Sequence, residues 1–359
     1  MTKVALICDT HLGVRNDSVV FHEYFRKSFD HFFNYIDEND IKHVIHLGDL
    51  FDRRKYVNYL TAKICRELFL QPIAERKLNA HILCGNHDQY YKDTHDVNAL
   101  DELVSGRYDT IQTYTRPGLI DIGGVPIQML PWITNSNSEE SYEAIKNSAS
   151  DILMGHLELA GFEMFRGIVS ETGDDKELFS RYDLVFSGHY HKKSSKDNIH
   201  YLGAFAEYTW ADYNDPRGFT IFDTQTRKFE FIRNPYNIFK MIAYDDEKYK
   251  DDIIQRITNR DYSEFKDTYV KIICTNRNNP YAFDMLLDKL YKVMPNDVTI
   301  VEGLQNYSID DEDTINEAED TPTIMEKYID GLSLPLDSDK LKRYMKTIYQ
   351  EAVAATIND

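Results

Sequence analysis

Five short apolar runs, at residues 4–8, 44–47, 82–84, 152–154 and 184–186, each end on a cluster of residues of the kind that ligate metals. The clusters read Cys8-Asp9-Thr10-His11, Gly48-Asp49, Gly85-Asn86-His87-Asp88, Gly155-His156 and Gly188-His189-Tyr190-His191. A brief, partly β-branched apolar run suits a strand buried on both faces. Five strands that end alike bring their polar tips to one edge of a sheet core.

Between these runs the pattern turns helical. Phe21, Phe25, Phe29, Phe32, Phe33 and Ile36 recur at helical spacing, as do Leu60, Ile64 and Leu68. Such an aromatic stripe reads as core packing rather than a binding face. The alternation defines an α/β domain over residues 1–223.

After residue 224 strand-like segments at 228–232, 239–244, 268–274 and 298–301 are separated by helical ones near 248–257 and 281–293. No ligand cluster occurs there, so 224–304 reads as a small α/β capping domain. Residues 305–321 hold Asp310, Asp311, Glu312, Asp313, Glu317, Glu319 and Asp320 without a lysine or arginine, the composition of a solvated linker. In the last segment, 322–356, Thr321-Pro322 offers an N-cap and a first-turn proline. Ile324, Met325, Tyr328 and Ile329 line one helix, and Leu341, Tyr344, Met345 and Ile348 a second beyond Pro335. Two helices this short are marginal alone. They must cover their apolar faces on the chain's own body or, as the charged tether favours, on a partner.

Composition narrows the class further. A chain of 359 residues outgrows a single core. It shows no apolar stretch of membrane length and no secretory layout at its start, so a cytoplasmic protein without a membrane partner is expected. The four cysteines, Cys8, Cys65, Cys84 and Cys274, lack metal-site spacing and read as reduced structural thiols. A net charge of −19 opposes binding to nucleic acid. The objection weakens because acid is concentrated in the linker and bound cations would add positive charge. Arg53, Arg54 and Lys55 follow the second cluster and Lys192 and Lys193 the fifth, where a phosphate backbone would run, although any one of them is equally an ordinary loop charge.

The clusters supply seven candidate ligands: Asp9, His11, Asp49, Asn86, His156, His189 and His191. Carboxylate, amide and imidazole donors together suit Mn²⁺, with Mg²⁺ as the alternative. Two divalent ions about 3.5–4 Å apart need a bridging group, and the carboxylate of Asp49 is placed for it. Two carboxylates leave a surplus of two positive charges that attracts a phosphodiester and acidifies water. His87 follows Asn86, so its side chain diverges toward the leaving oxygen as a general acid. Asp52 would hold its ring in one tautomer and raise its pKa. His46 and His81 read as core residues; His22, His31, His43, His95 and His200 stand apart from the clusters. Asp88 is balanced between a turn-forming and a chemical role.

On these residues the chain resembles the calcineurin-like metallophosphoesterases, whose pattern is DxH, GDxxD, GNHD, GH and GHxH. Within them it resembles the SbcD-type (meiotic recombination eleven) nuclease subunits, most closely those of T-even-type phages. The resemblance implies a four-layer α/β/β/α sandwich with the small α/β cap and the C-terminal helix pair. It places Asp9, His11, Asp49 and His191 around one Mn²⁺, and Asp49, Asn86, His156 and His189 around the other. It also implies 3′-to-5′ exonuclease and single-strand endonuclease action on DNA, a homodimer, and an SbcC-type coiled-coil ABC ATPase held by residues 322–356. The setting would be DNA recombination, replication and repair in a bacterial or phage-infected cell. Many cellular relatives carry His in the position of Asp52, which leaves the partner of His87 open.

Three other readings compete. Asp49-Leu50-Phe51-Asp52-Arg53 resembles the GDxxDR of protein phosphatases, but those carry GNHE and lack the paired late histidines. Small-molecule and cyclic-nucleotide phosphodiesterases share the motifs but lack the cap and partner helices. A non-enzymatic scaffold would have lost ligands, and none is missing here.

Overall fold

The computed structural model describes residues 2–165, 168–170, 172–302, 340, 341 and 344. The chain divides into two compact units, Met1–Tyr208 with Asp212–Ile238, and Thr209–Ala211 with the residues from Phe239 onward.

In the first unit the strands are β1 (Lys3–Ile7), β2 (His43–His46), β3 (Asn79–Leu83), β4 (Ile111–Tyr114), β5 (Gly118–Ile122), β6 (Val125–Leu130), β7 (Ile152–His156), the hairpin β8 (Glu163–Phe165) and β9 (Ile168–Val169), β10 (Leu184–Gly188), β11 (Ser194–Lys196), β12 (Ile199–Tyr201), β13 (Gly218–Asp223) and β14 (Phe229–Arg233). They form two six-stranded sheets, ordered β14-β13-β1-β2-β3-β4 and β11-β12-β10-β7-β6-β5. Both are mixed. β1 to β4 run parallel and so do β6, β7, β10 and β12, while β5, β11, β13 and β14 join antiparallel.

Alternation within each strand explains the layering. Val4, Leu6, Ile45 and Leu83 of the first sheet share one buried cluster with Ile127, Met129, Ile152, Met154 and Phe186 of the second, so the inner faces meet. The outer faces take helices. The stripe on the helix Val19–Glu38 is buried as its spacing predicts, and Phe32 stands edge-on to Phe219 of β13. Each fully buried phenylalanine of this kind contributes about 1.5–3 kcal/mol. On the second sheet Ile145, from the helix Ser138–Asn147, packs with Leu153, Val185 and Ile199. The order is α/β/β/α. Among the described residues no helix is long and apolar enough to cross a membrane.

The expected boundary at 223/224 is corrected. Phe229–Arg233 pairs in full register with Gly218–Asp223, and the first unit continues to Ile238. The second unit has a parallel sheet, β15 (Phe239–Asp245), β16 (Tyr269–Asn276) and β17 (Asp297–Glu302). Its helices are Ile253–Asn259 and Pro280–Lys292; the latter is capped by Asn279, whose Oδ1 accepts from Ala282 N at 3.1 Å. Phe283, Leu286 and Leu290 bury its apolar face against Val270 and Ile272.

The acidic linker and most of 322–356, including Ile324, Met325, Tyr328, Ile329, Met345 and Ile348, lie outside the described residues. Lys340, Leu341 and Tyr344 are helical.

Candidate metal centre

The five clusters all lie at the carboxyl ends of parallel strands, where open α/β sheets place their sites. Here the chain must leave the sheet abruptly. Asp9 (φ 49°), His11 (φ 43°), Asp49 (φ 56°) and His189 (φ 90°) take left-handed backbone conformations. Each costs a residue with a Cβ about 1–3 kcal/mol, a strain typical of functional sites. Gly48 (φ 94°) escapes that cost, and a Cβ there would collide with the imidazole of His156.

The seven predicted ligands converge. Donor atoms of Asp9, His11 and His191 lie within 4.8 Å of one another, and so do those of Asp49, His156 and His189. Asn86 Oδ1 stands 3.0 Å from His156 Nε2 and 3.0 Å from His189 Nδ1. Asp49 Oδ2 lies 3.3 Å from His156 Nε2 and 3.7 Å from His11 Nε2, between the two groups. His11 Nε2 and His191 Nε2 face each other at 3.0 Å, two ring nitrogens that share at most one proton. A mixed set of buried oxygen and imidazole donors in two adjoining groups fits two divalent ions.

Neighbouring groups set the donors' orientation. His156 Nδ1–H donates to Leu47 O at 2.7 Å, which turns Nε2 toward Asp49 and Asn86. The backbone N–H of His189 donates to both oxygens of Asp9, at 3.0 and 3.1 Å. That of His87 donates to Asp49 Oδ1 at 2.8 Å. Asp88, left open between two roles, is a structural clamp. Its buried carboxylate accepts from the N–H groups of Gly85, Leu50 and Phe51 and ties the loop of Asn86 to the loop of Asp49.

Three supporting residues carry no motif. Tyr208 donates its hydroxyl to the carbonyl of Asp9 and sets its ring 5.4 Å from His11 and 5.7 Å from His191. Trp132 lies 4.9 Å from His189. Arg217, buried, donates to the carbonyl of His191 and pairs with Asp212 at 2.6 Å and Asp215 at 3.2 Å. The acidic pair shortly before Arg217 was the only trace of this arrangement in the sequence.

Charge is unevenly shared. Burial alone would raise Asp49, but His156 and His87 hold its carboxyl well below the usual range. Burial pushes Asp9 up. His156 is raised to about 9, burial being outweighed by Asp49. His11 also reaches about 9, against burial, through Asp52 and Asp49. Burial and the charge of His156 lower His189 to about 3, and burial with His11 and Arg217 puts His191 well below the usual imidazole range. Those two rings are neutral donors.

The expected pairing of His87 is corrected. His87 Nδ1–H donates to the backbone carbonyl of Asp52 at 2.6 Å, while the Asp52 carboxylate turns to His11 Nδ1 at 3.5 Å, an ion-pair distance. The cause is local. Asp52 N donates to Leu12 O and Phe51 bridges Leu12, so the segment runs beside the His11 loop and aims its side chain there. Burial lowers the pKa of His87 rather than raising it. Of the basic residues, Arg53 is engaged by Asp17, Asn16 and Tyr56, and Lys192 by Glu163 at 2.7 Å. Arg54 is half-buried near the charge of Asp49, Lys55 is exposed, and Lys193 lies 5.3 Å over the ring of Phe231.

A two-sheet α/β/β/α sandwich with paired His/Asp groups at one edge defines a metal-dependent phosphoester hydrolase. The sequence profile of the calcineurin-like phosphoesterases matches residues 2–193, and the chain belongs to that family. It is 32% identical over 353 residues to exonuclease subunit 1 of Enterobacteria phage T4, covering 98% of this chain and 99% of that one. It is 22% identical over 223 residues to the SbcD component of the SbcCD nuclease of Staphylococcus saprophyticus, covering 58% and 57%. An archaeal phosphodiesterase of solved structure aligns at 14% identity and a TM-score of 0.32, over 65% of this chain and 99% of that one, too loosely to carry an argument.

Proposed function

We propose that this chain is a DNA nuclease subunit that cuts duplex DNA from 3′ ends and single strands internally, in recombination, replication and repair. The observation that carries the reading is the near full-length alignment with a phage exonuclease subunit, which extends beyond the catalytic motifs into the second unit. The chemistry is supported by the two adjoining ligand groups with Asp49 between them. Asp9, His11, Asp49 and His191 would hold one ion and Asp49, Asn86, His156 and His189 the other, with Mn²⁺ expected and Mg²⁺ the alternative. When bound, two such ions polarise a phosphoryl oxygen and make water more acidic.

The chain's own residues supply the rest. His87, fixed at Nδ1 by the carbonyl of Asp52, presents Nε2 to the substrate. It acts as general acid in its imidazolium form, which the negative charge of a bound phosphodiester favours against burial, and the Nε2 proton then passes to the leaving oxygen. Asp52 acts on His11 through its carboxylate, as a positioning residue. Arg54, Lys55 and Lys193 attract the phosphate backbone. A homodimer and an SbcC-type ATPase, held by residues 322–356, complete the complex.

The test is digestion of end-labelled linear duplex and single-stranded DNA by the purified chain with Mn²⁺, beside a chelator control. Metal-dependent cutting supports the nuclease. If DNA survives, with and without the ATPase, while bis(p-nitrophenyl) phosphate is hydrolysed, the chain acts on small phosphodiesters instead.

A further inference from the structure

A cavity of about 180 Å³ opens beside the second ligand group, lined by Trp132, Tyr142, His156, Leu157, Glu158 and Asp174, among others. That volume is below the roughly 300–1,000 Å³ of drug-sized sites. It suits one flat ring system. Because His156 belongs both to the cavity wall and to the ligand group with Asp49 and His189, an occupant would lie one residue away from the phosphate being cut.

The lining is preformed. Trp132 N donates to Cys84 O at 2.9 Å, and Trp132 O accepts from His95 Nε2 at 2.8 Å and Asn137 Nδ2 at 3.0 Å, so the backbone that carries the indole is held on both sides. Its ring rests on His189 at one side and is only partly buried. Two other lining residues are acidic. Asp174 Oδ1 accepts from the Tyr142 hydroxyl at 2.9 Å and Glu158 Oε1 from Thr172 Oγ1 at 2.8 Å. Each carboxylate thus has one oxygen fastened and the other uncommitted in these bonds. Among the described residues no lysine or arginine lines the cavity, so it does not suit a phosphate. An aromatic ring and carboxylate acceptors lining one cavity suit a flat, neutral group that carries N–H donors.

We infer that this cavity receives the base of the nucleotide next to the scissile phosphate, stacking it on Trp132 and accepting its exocyclic amine on Glu158 and Asp174. Stacking is indifferent to the base, because every base has a π face. Carboxylate acceptors are selective, since cytosine, adenine and guanine offer an amine and thymine does not. The inference rests on the nuclease reading for its substrate, but the pocket is testable without any cleavage.

The chain has two tryptophans, so Trp210→Phe isolates the emission of Trp132 in the full-length protein. Deoxycytidine and thymidine, which carry no phosphate, are titrated against it with inner-filter correction. Saturable quenching by deoxycytidine is expected, at least threefold tighter than by thymidine, and Glu158→Gln and Asp174→Asn should each narrow that ratio. Both amides keep the hydroxyl hydrogen bond and nearly the same shape. Absence of saturable quenching, or equal quenching by the two nucleosides, overturns the pocket. So does an unchanged ratio in both variants. If the pocket binds nucleosides while DNA is never cut, the nuclease reading fails and the base site stands.

Discussion

The two sheets contribute different chemistry to one site. The first supplies both carboxylates, the amide of Asn86 and two imidazoles, His11 and His87, on loops forced into left-handed backbone at Asp9, His11 and Asp49. The second supplies His156, His189 and His191, of which the last two are neutral donors. The carboxylates and most of the left-handed positions sit on one side, and on the other two neutral imidazoles beside His156, whose pKa is raised, with His189 the one strained position. The two groups built from the predicted ligands both span the sheets, since Asp9 and His11 meet His191 and Asp49 meets His156 and His189, while His11 with Asp52 and His87 gathers on loops of the first sheet alone. The site exists only where the sheets are packed together.

The largest effect should come from the residue between the two groups. Asp49→Asn keeps the shape and tolerates left-handed backbone but removes the charge that both groups face. Turnover of bis(p-nitrophenyl) phosphate with Mn²⁺ should fall by about four orders of magnitude. A fall of less than tenfold would mean that the two sheets do not share this carboxylate. His87→Asn should lose about a thousandfold in turnover while elemental analysis finds the metal content unchanged. Loss of metal in that variant would make His87 a ligand and add it to the first sheet's donors.

Arg217→Ala separates orientation from ligation. It leaves Asp212 and Asp215 without their buried partner, and stability by chemical denaturation should drop by about 3 kcal/mol. A drop below about 0.5 kcal/mol would show that the carbonyl of His191 needs no such support. The smallest effect tests whether the first sheet is acid-sensitive apart from the site. His81 on β3 is held neutral by burial, with its pKa lowered to about 4. The unfolded chain takes up a proton near 6.5 that the folded chain refuses, so stability should decline as pH falls from 6.5 toward 4, by at most about 3 kcal/mol for this residue. His81→Gln should flatten the decline in that window.

Much of this was legible because period and order survive in a sequence. The strand runs, the phenylalanine stripe and the seven converging donors all follow from local patterns repeated along the chain. β14 was misplaced because its exposed pattern gives little alternation to read, and only pairing with β13 assigns it. The role of Asp52 was half hidden for a different reason. A backbone carbonyl has no letter of its own, so a sequence shows the carboxylate and not the group that holds His87. Asp88 was ambiguous because the three N–H groups it gathers come from two separate loops. Tyr208 and Trp132 support the site by packing, which requires no spacing rule.

The strand order also bears on how the chain is made. β1 lies between β2 and β13, so its second neighbour emerges from the ribosome only with residues 218–223, long after β1 itself. Pairings so distant in sequence close late and slowly. The loops of Asp9, Asp49 and Asn86 therefore wait for His156, His189 and His191, which are made only when about half of the 359 residues have been joined. A chain ended before His156 holds only Asp9, His11, Asp49 and Asn86 of the seven donors. The donor set is therefore complete only after both sheets have contributed strands, and the order of synthesis is also the order in which the centre is assembled.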